Sequence, residues 1–342
     1  MPVQLNTSST ISHVISNSST NTGHQPSVEL WPIISPIAAL LANSGVIILI
    51  MGKDKLQTTF NMYIVALALS NIAYAIIYGT LSIMNWGFTG QSWTLGVAAC
   101  TARIYRDYAL GAVTVHLHLL VSLTRAWALF GPMSYRSHHT IRLAVAFCIG
   151  AVVYVHIPLL PGIILDAMYY RLPAKYGCWI NTAPQPVWAT FTTVVIFVLP
   201  KLLIPTCYPV LLWKTVQRRR IAAVLRGRGN DSPPQSSTPS NARVEKEGNA
   251  SRPFIVLTLF TIGVLVCWIP SLIFYILAYF IPPTEMPTFS EVVGVLYSLQ
   301  AILDPIFFCL SVRDLWSGLC LMWSRCIRSH SEEPARMPKP PT

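Results

Sequence analysis

Long apolar runs separated by short polar ones dominate the chain. Seven stretches, at about 31–52, 61–84, 97–130, 141–165, 187–213, 253–280 and 288–311, each reach the ~20 residues that carry a helix across a ~30 Å hydrocarbon layer. No alternation of the barrel kind interrupts them, so the pattern predicts helices rather than membrane strands. Pro161, Pro200, Pro270 and Pro305 fall inside the runs, and spanning helices tolerate proline better than soluble ones do. The third run, with charged ends, is the weakest by hydropathy. The expected fold is an all-α membrane protein, a seven-transmembrane helix bundle.

Composition strengthens this picture. Hydrophobic residues make up 53% of the chain and charged ones 11%, with mean hydropathy +0.52; soluble domains carry roughly a quarter charged residues. The cations settle orientation. Lys53, Lys55, Arg136, Arg142, Lys214, Arg218 to Arg220, Arg226, Arg228, Arg313, Arg325 and Arg328 all fall in alternate loops and the C-terminal tail, which the positive-inside rule places in the cytoplasm. The first thirty residues hold no Lys or Arg, so the N-terminus is expected outside, at the plasma membrane. That tail (1–30) is rich in Ser, Thr and Asn. Its Asn6 and Asn17 both fit the N-glycosylation pattern, or are chance matches in an unstructured tail. No apolar signal-peptide core precedes Trp31, so the first helix is expected to target the chain.

The bundle is then expected over 31–311, with a cytoplasmic tail over 312–342. The loop 217–252 opens with the run Arg218 to Arg220, and its 229–241 segment is Ser-, Pro-, Gly- and Asn-rich, a composition that argues disorder. Its basic run suits anionic lipid headgroups, and its serines are candidate kinase sites. The net charge of +11 therefore reflects the inner membrane surface rather than nucleic acid. Of eight cysteines, Cys100 and Cys178 are the two expected outside, where a bridge is permitted. Cys148, Cys207, Cys267 and Cys309 read as small apolar fillers. Cys320 and Cys326 follow the last run in a stretch expected to form a short amphipathic helix, where they are either palmitoylated or unmodified.

Against this background, Asp107 is the most informative residue. An ionised side chain inside a spanning helix costs at least ~2.5 kcal/mol and so signals function by default. Arg125 follows eighteen residues later, which in a regular helix puts both charges on one face, about 27 Å apart. One helix thus offers an acid near the outer leaflet and a base near the inner one. Arg103, four residues before Asp107, is placed to neutralise it as an i,i+4 pair. Arg106 is adjacent in sequence but points roughly 100° away in a regular helix. Asp107 is therefore either a counter-ion for a ligand or half of an internal salt bridge, and both hold if a ligand competes with Arg103.

The order and spacing of several motifs resemble the rhodopsin-like (class A) G-protein-coupled receptors along essentially the whole chain. They are Asn43, Leu67-Ala68-Leu69-Ser70-Asn71, Cys100 twenty-five residues before Arg125, Pro200 with Tyr208, Cys267-Trp268-Ile269-Pro270 and Asp304-Pro305-Ile306-Phe307-Phe308. Asp107-Tyr108, Leu119-Leu120-Val121-Ser122 and Pro132-Met133-Ser134-Tyr135-Arg136 look most like the amine-binding members, muscarinic and histamine receptors. The resemblance implies a receptor that signals through a heterotrimeric G protein, with arrestin and receptor kinases as further partners and membrane lipids around it. It also implies a small biogenic amine ligand whose ammonium pairs with Asp107. Tyr108, Trp268, Tyr275, Tyr297, Thr192 and Ser271 would surround the ligand, the aromatics adding cation–π attraction of ~0.5–2 kcal/mol each. Arg125, Pro132 and Met133 would face the G protein. Trp268 and Pro270 form the expected switch, since a proline inside a helix kinks it into a hinge.

The departures from that pattern are equally specific. Ser271, Leu272, Gly294 and Ser298 stand where muscarinic receptors complete an ammonium cage, so acetylcholine itself is not expected. Thr124 and Ala126 replace the acid and tyrosine that flank the third-helix arginine, Ala250 replaces a sixth-helix glutamate with Glu247 one turn away, and Phe308 replaces a tyrosine. A threonine offers Arg125 a weaker, neutral hydrogen bond, which predicts raised basal signalling or, alternatively, lost coupling. Asn71 and Asp304 look exchanged relative to a pair that relatives use around sodium, with Asn43 completing a polar network. His118 reads as a hydrogen-bonded structural histidine or a pH sensor, and nothing in the sequence accounts for Lys201. An enzyme is not expected, since no catalytic or phosphate-binding motif is present. A transporter usually shows an internal repeat, which is not evident here, and an opsin needs a seventh-helix lysine, which this chain does not have there. A peptide or chemosensory receptor and a non-coupling receptor-like protein remain as alternatives.

Overall fold

The structure is a computed structural model that describes residues 30–84, 93–228 and 262–311, apart from 264, 279 and 282–284. Asn6, Asn17, Glu247, Ala250, Cys320, Cys326, the loop beyond Arg228 and the expected amphipathic helix lie outside the described residues, as does the side chain of Tyr208.

All regular structure among the described residues is helical. The principal helices are α1 (Trp31–Met51), α2 (Thr59–Met84), α3 (Gly96–Phe130), α4 (Ile141–Tyr170), α5 (Pro186–Thr192, Thr193–Val198 and Leu199–Arg228 in succession), α6 (Leu265–Leu277) and α7 (Pro287–Ser311). Six of them are long and apolar enough to cross a membrane, and α6 is a shorter apolar helix. α1 packs on α2 and α7, while α3 touches α2, α4 and α5 and so forms the axis of the bundle. α5 continues to Arg228, past residue 217 where the sequence pattern starts a loop. Nothing in the Arg218 to Arg220 run breaks a helix, because Lys and Arg are good helix formers.

The apolar pattern divides between inside and outside. Tyr63, Ile64, Leu67, Leu117, Leu159, Ile196 and Trp268 are buried at the centre. Ile48, Ile149, Val153, Ile157 and Leu202 face outward, as expected where the surrounding solvent is hydrocarbon. Local chemistry fixes the ends. Pro132 opens the short helix Pro132–His138, where its missing N–H costs nothing. Thr140 caps α4 by accepting the Leu143 N–H at 3.3 Å. Near the outer end of α4, Gly162 admits the Trp188 indole of α5, which would overlap any Cβ placed there. That indole N–H donates to the Pro158 carbonyl at 2.7 Å. Cys100 at the start of α3 is disulfide-bonded to Cys178, Cα to Cα 5.5 Å, tying the loop before α5 over the bundle.

Candidate functional site

Three helices depart from regular α geometry in their outer halves. Arg106–Leu110 of α3, Asp166–Tyr170 of α4 and Thr193–Val198 of α5 are π-turns, a form that often accompanies functional sites. Asp107 lies in the first of them. Adjacent helical residues diverge by about 100° at the backbone, yet the long Arg106 side chain folds back onto its neighbour. Its Nη2 and Nε approach Asp107 Oδ1 at 2.6 and 2.7 Å, while Arg103 Nε stands 3.8 Å from Oδ2. The regular-helix placement of Arg106 is thereby corrected, and Arg103, the partner expected from spacing, makes the looser contact.

Aromatic rings hold both guanidinium groups. Arg106 lies 5.3 Å from the Tyr74 ring and 5.0 Å from Tyr78. Arg103 lies 5.6 Å from Trp93 and 5.4 Å from Trp179, the residue after Cys178. Arg106 is buried, whereas the side chains of Arg103 and Asp107 remain about a third exposed, at 33% and 29%. Asp166, buried nearby on α4, is already paired with Arg171 and with the Asn181 N–H.

Next to Asp107 along the bundle the packing is aromatic. Tyr108 meets Phe197 and Tyr275 edge-on, with ring centroids 5.9 and 6.0 Å apart, and those two rings stack at 5.5 Å. Tyr297 donates its hydroxyl to the Gly111 carbonyl at 2.8 Å, an approach that requires glycine there, since a Cβ would stand 2.9 Å from the hydroxyl oxygen. Thr192 donates to the Trp188 and Ala189 carbonyls of its own helix, so its hydroxyl proton is committed. Ser271 is fully buried and accepts from Lys201 Nζ at 2.9 Å. Trp268 is buried against His118, centroids 4.5 Å apart, and its indole N–H finds no acceptor among the described residues.

Beneath Trp268 lies a polar knot. Asn71 donates to Asp304 Oδ2 at 3.1 Å and to Asn43 Oδ1 at 3.3 Å, and Asn43 donates to the Ala39 and Ala301 carbonyls. His118 Nε2 stands 3.0 Å from Asp304 Oδ1 and its Nδ1 2.8 Å from the Thr114 carbonyl, and Gln300 donates to Oδ1. Side chains from three helices thus surround the Asp304 carboxylate. Motif spacing places Asn71, Asn43 and Asp304 in a common pocket. Gln300 belongs to no such motif, and only its lone polar character in an apolar run marks it.

At the inner end, Thr124 donates its hydroxyl proton to the Leu120 and Val121 carbonyls of its own helix, and no hydrogen bond links it to Arg125 among the described residues. The Arg125 guanidinium instead stacks on Phe60 of α2, 3.5 Å from the ring centroid. Pro132 and Met133 begin the short inner helix, with Met133 81% exposed. Pro270 lies within α6, while Pro305 and Phe308 are buried in α7. An apolar hollow of ≈ 670 Å³ runs along the outer face of α4 past Ile157 and Pro161, away from Asp107. Its polar lining residue, His156, is engaged with Tyr105.

Comparison with known proteins agrees with this architecture. The family model described as 7 transmembrane receptor (rhodopsin family) matches residues 42–308. The human muscarinic acetylcholine receptor M1 is 29% identical over 197 residues, 56% of this chain and 42% of that receptor. The muscarinic acetylcholine receptor gar-3 of Caenorhabditis elegans is 24% identical over 205 residues, 58% and 33% respectively. The mouse 5-hydroxytryptamine receptor 1B is 27% identical over 173 residues, 50% and 44%. The matched part spans less than half the length of each of these relatives.

Proposed function

The chain belongs to the rhodopsin family of seven-transmembrane receptors, and from that premise we propose that it binds a small cationic amine at Asp107 and signals through a heterotrimeric G protein. It does so at the plasma membrane with its N-terminus outside. The observation that carries this reading is the unequal hold on the Asp107 carboxylate. Oδ1 is taken by Arg106, but Oδ2 faces only Arg103 at 3.8 Å, in a side chain that is still partly exposed. Charge-assisted hydrogen bonds run near 2.7–2.9 Å, so this second oxygen has capacity that an ammonium can use. Arg103, held independently by Trp93 and Trp179, can yield the position without losing its own support. Support comes from relatives named as receptors for acetylcholine and 5-hydroxytryptamine, both small cationic molecules.

Below the cleft, Trp268 links it to the Asp304 knot through His118, and α3 carries on to Arg125 at the inner end. Ligand that favours one packing of Trp268 shifts the population of the inner end by its differential affinity alone. Arrestin and receptor kinases would meet the same inner surface.

The test is a panel of biogenic amines against cells expressing the chain, read by a G-protein dissociation sensor, with Asp107→Asn in parallel at matched surface expression. Removing one partner of a buried hydrogen-bonded charge pair costs ~2–5 kcal/mol, so potency should fall at least ~30-fold. A second reading has its own observation, the Arg106 contact at 2.6 Å: Asp107 as a purely internal ion pair. It predicts that Asp107→Asn lowers surface expression while leaving potency unchanged.

A further inference from the structure

Lys201 sits on α5 directly after Pro200, far from either helix end, and is 6% exposed. Its ammonium carries three donors. One reaches Ser271 Oγ, and the rest of its surroundings are the Tyr275 and Phe197 rings, with centroids at 5.0 and 5.8 Å. No carboxylate of a described residue approaches it closely enough to pair. A long side chain can normally lead its charge to water, but this one has no helix end within reach.

A buried charge without a counter-charge is among the most costly arrangements in a folded protein. The Phe197 and Tyr275 rings beside it both meet Tyr108, the residue after Asp107. A second buried donor, the Trp268 indole N–H three residues before Ser271, also lacks an acceptor among the described residues. Among the described residues, Arg103 and Arg106 both approach Asp107, while Lys201 has no carboxylate beside it.

We propose that the ligand is a small ampholyte whose carboxylate sits on Lys201 and Ser271 while its amine meets Asp107. The proposal rests on the amine reading of Asp107 given above. Ser271 accepts from Lys201 with its oxygen, which leaves its O–H proton to donate to one carboxylate oxygen while the ammonium holds the other. Arg103, partly exposed between two indoles, gives acidic molecules an attractive field at the entrance.

Two measurements on the full-length protein test the proposal. The first needs no ligand: thermal unfolding of the solubilised receptor with and without Lys201→Met. A Lys201 kept for binding is a liability in the empty protein, so the variant should melt about 2–4 °C higher. A lower melting temperature would make Lys201 a structural donor and overturn the proposal. The second compares 4-(2-aminoethyl)benzoate with phenethylamine and 5-aminovalerate with pentylamine, read by the G-protein sensor and by thermal shift. At least one acid should act tenfold or more below the concentration of its parent amine, and Lys201→Met should bring the two level. Equal potency within both pairs, or a preference that survives Lys201→Met, overturns the proposal. Asp107→Asn separates the two claims. If it abolishes the amine responses while Lys201→Met changes neither melting nor preference, the amine reading stands and the acid seat falls. If an acid preference depends on Lys201 but not on Asp107, the acid seat stands and the amine reading falls.

Discussion

Asp304 shows how one buried carboxylate organises its neighbours. Asn71, His118 and Gln300 reach it from α2, α3 and α7, and each would lose a partner if the acid were removed. Asp304→Asn should therefore be destabilising, by ~1–3 kcal/mol for each buried partner it leaves unsatisfied. Asn71→Asp alone sets two carboxylates at hydrogen-bond distance and should also fail. The double exchange restores one acid and one amide to the Asn71–Asp304 contact, so it should recover more surface expression than additivity allows, with a coupling of about 1–3 kcal/mol. Recovery should be incomplete, because His118 and Gln300 bond to position 304 and not to 71. Flow cytometry of surface receptor for the four proteins checks this, and strict additivity would remove the coupling. The Asn71 and Asp304 exchange is legible in sequence because both sit at fixed motif positions. The contributions of His118 and Gln300 depend on how three helices pack.

At the scale of elements, small departures from ideal geometry determine which side chains meet. Arg106 opens the π-turn Arg106–Leu110, and its long side chain folds onto Asp107 although a helical period puts the two about 100° apart at the backbone. Periodicity cannot reveal such a turn, since the change of one hydrogen-bond step leaves no residue signature. The inner end gives a second case. His139, following the short helix Pro132–His138, places Nε2 2.9 Å from the Tyr63 hydroxyl of α2, and its carbonyl accepts from Thr59. It also packs on Tyr135, centroids 4.3 Å apart. Burial pushes its pKa below the ordinary 6.5, so the folded form resists the proton that the unfolded chain takes up. Stability from this contact is complete above pH 6.5 and declines as pH falls below it. Melting temperatures at pH 7.5 and 5.5 should therefore differ in the wild type by more than in His139→Phe, the wild type losing stability at the lower pH. An equal difference in both proteins would detach the effect from His139.

For the whole molecule, the question is how firmly the resting arrangement is held. Arg125 has no carboxylate partner among the described residues. It rests on the Phe60 ring while Thr124 bonds to its own helix. A cation–π contact of ~0.5–2 kcal/mol is a weaker restraint than a buried charge-assisted pair. Less free energy then separates the inner-end states, and signalling without ligand should exceed that of mock-transfected cells. Thr124→Glu, which supplies an acid beside Arg125, should lower that signal several-fold at equal surface expression, as a gain of about 1–2 kcal/mol implies. A receptor already silent, or one indifferent to Thr124→Glu, would show that the restraint lies elsewhere.

Residue order alone specifies the membrane bundle, its seven apolar runs, the Cys100–Cys178 pairing by side and the singular status of Asp107, Arg125 and Lys201. These features are legible because the cost of polar groups in hydrocarbon is paid residue by residue and leaves its mark on composition and spacing. What each buried charge meets was settled by packing. Arg106 folded its long side chain onto Asp107, Thr124 turned to its own backbone, Lys201 met a hydroxyl and two rings from α6 and α5, and three helices converged on Asp304. Partners on different helices are fixed by crossing positions and rotation about each axis, and neither is encoded in the spacing along any one helix.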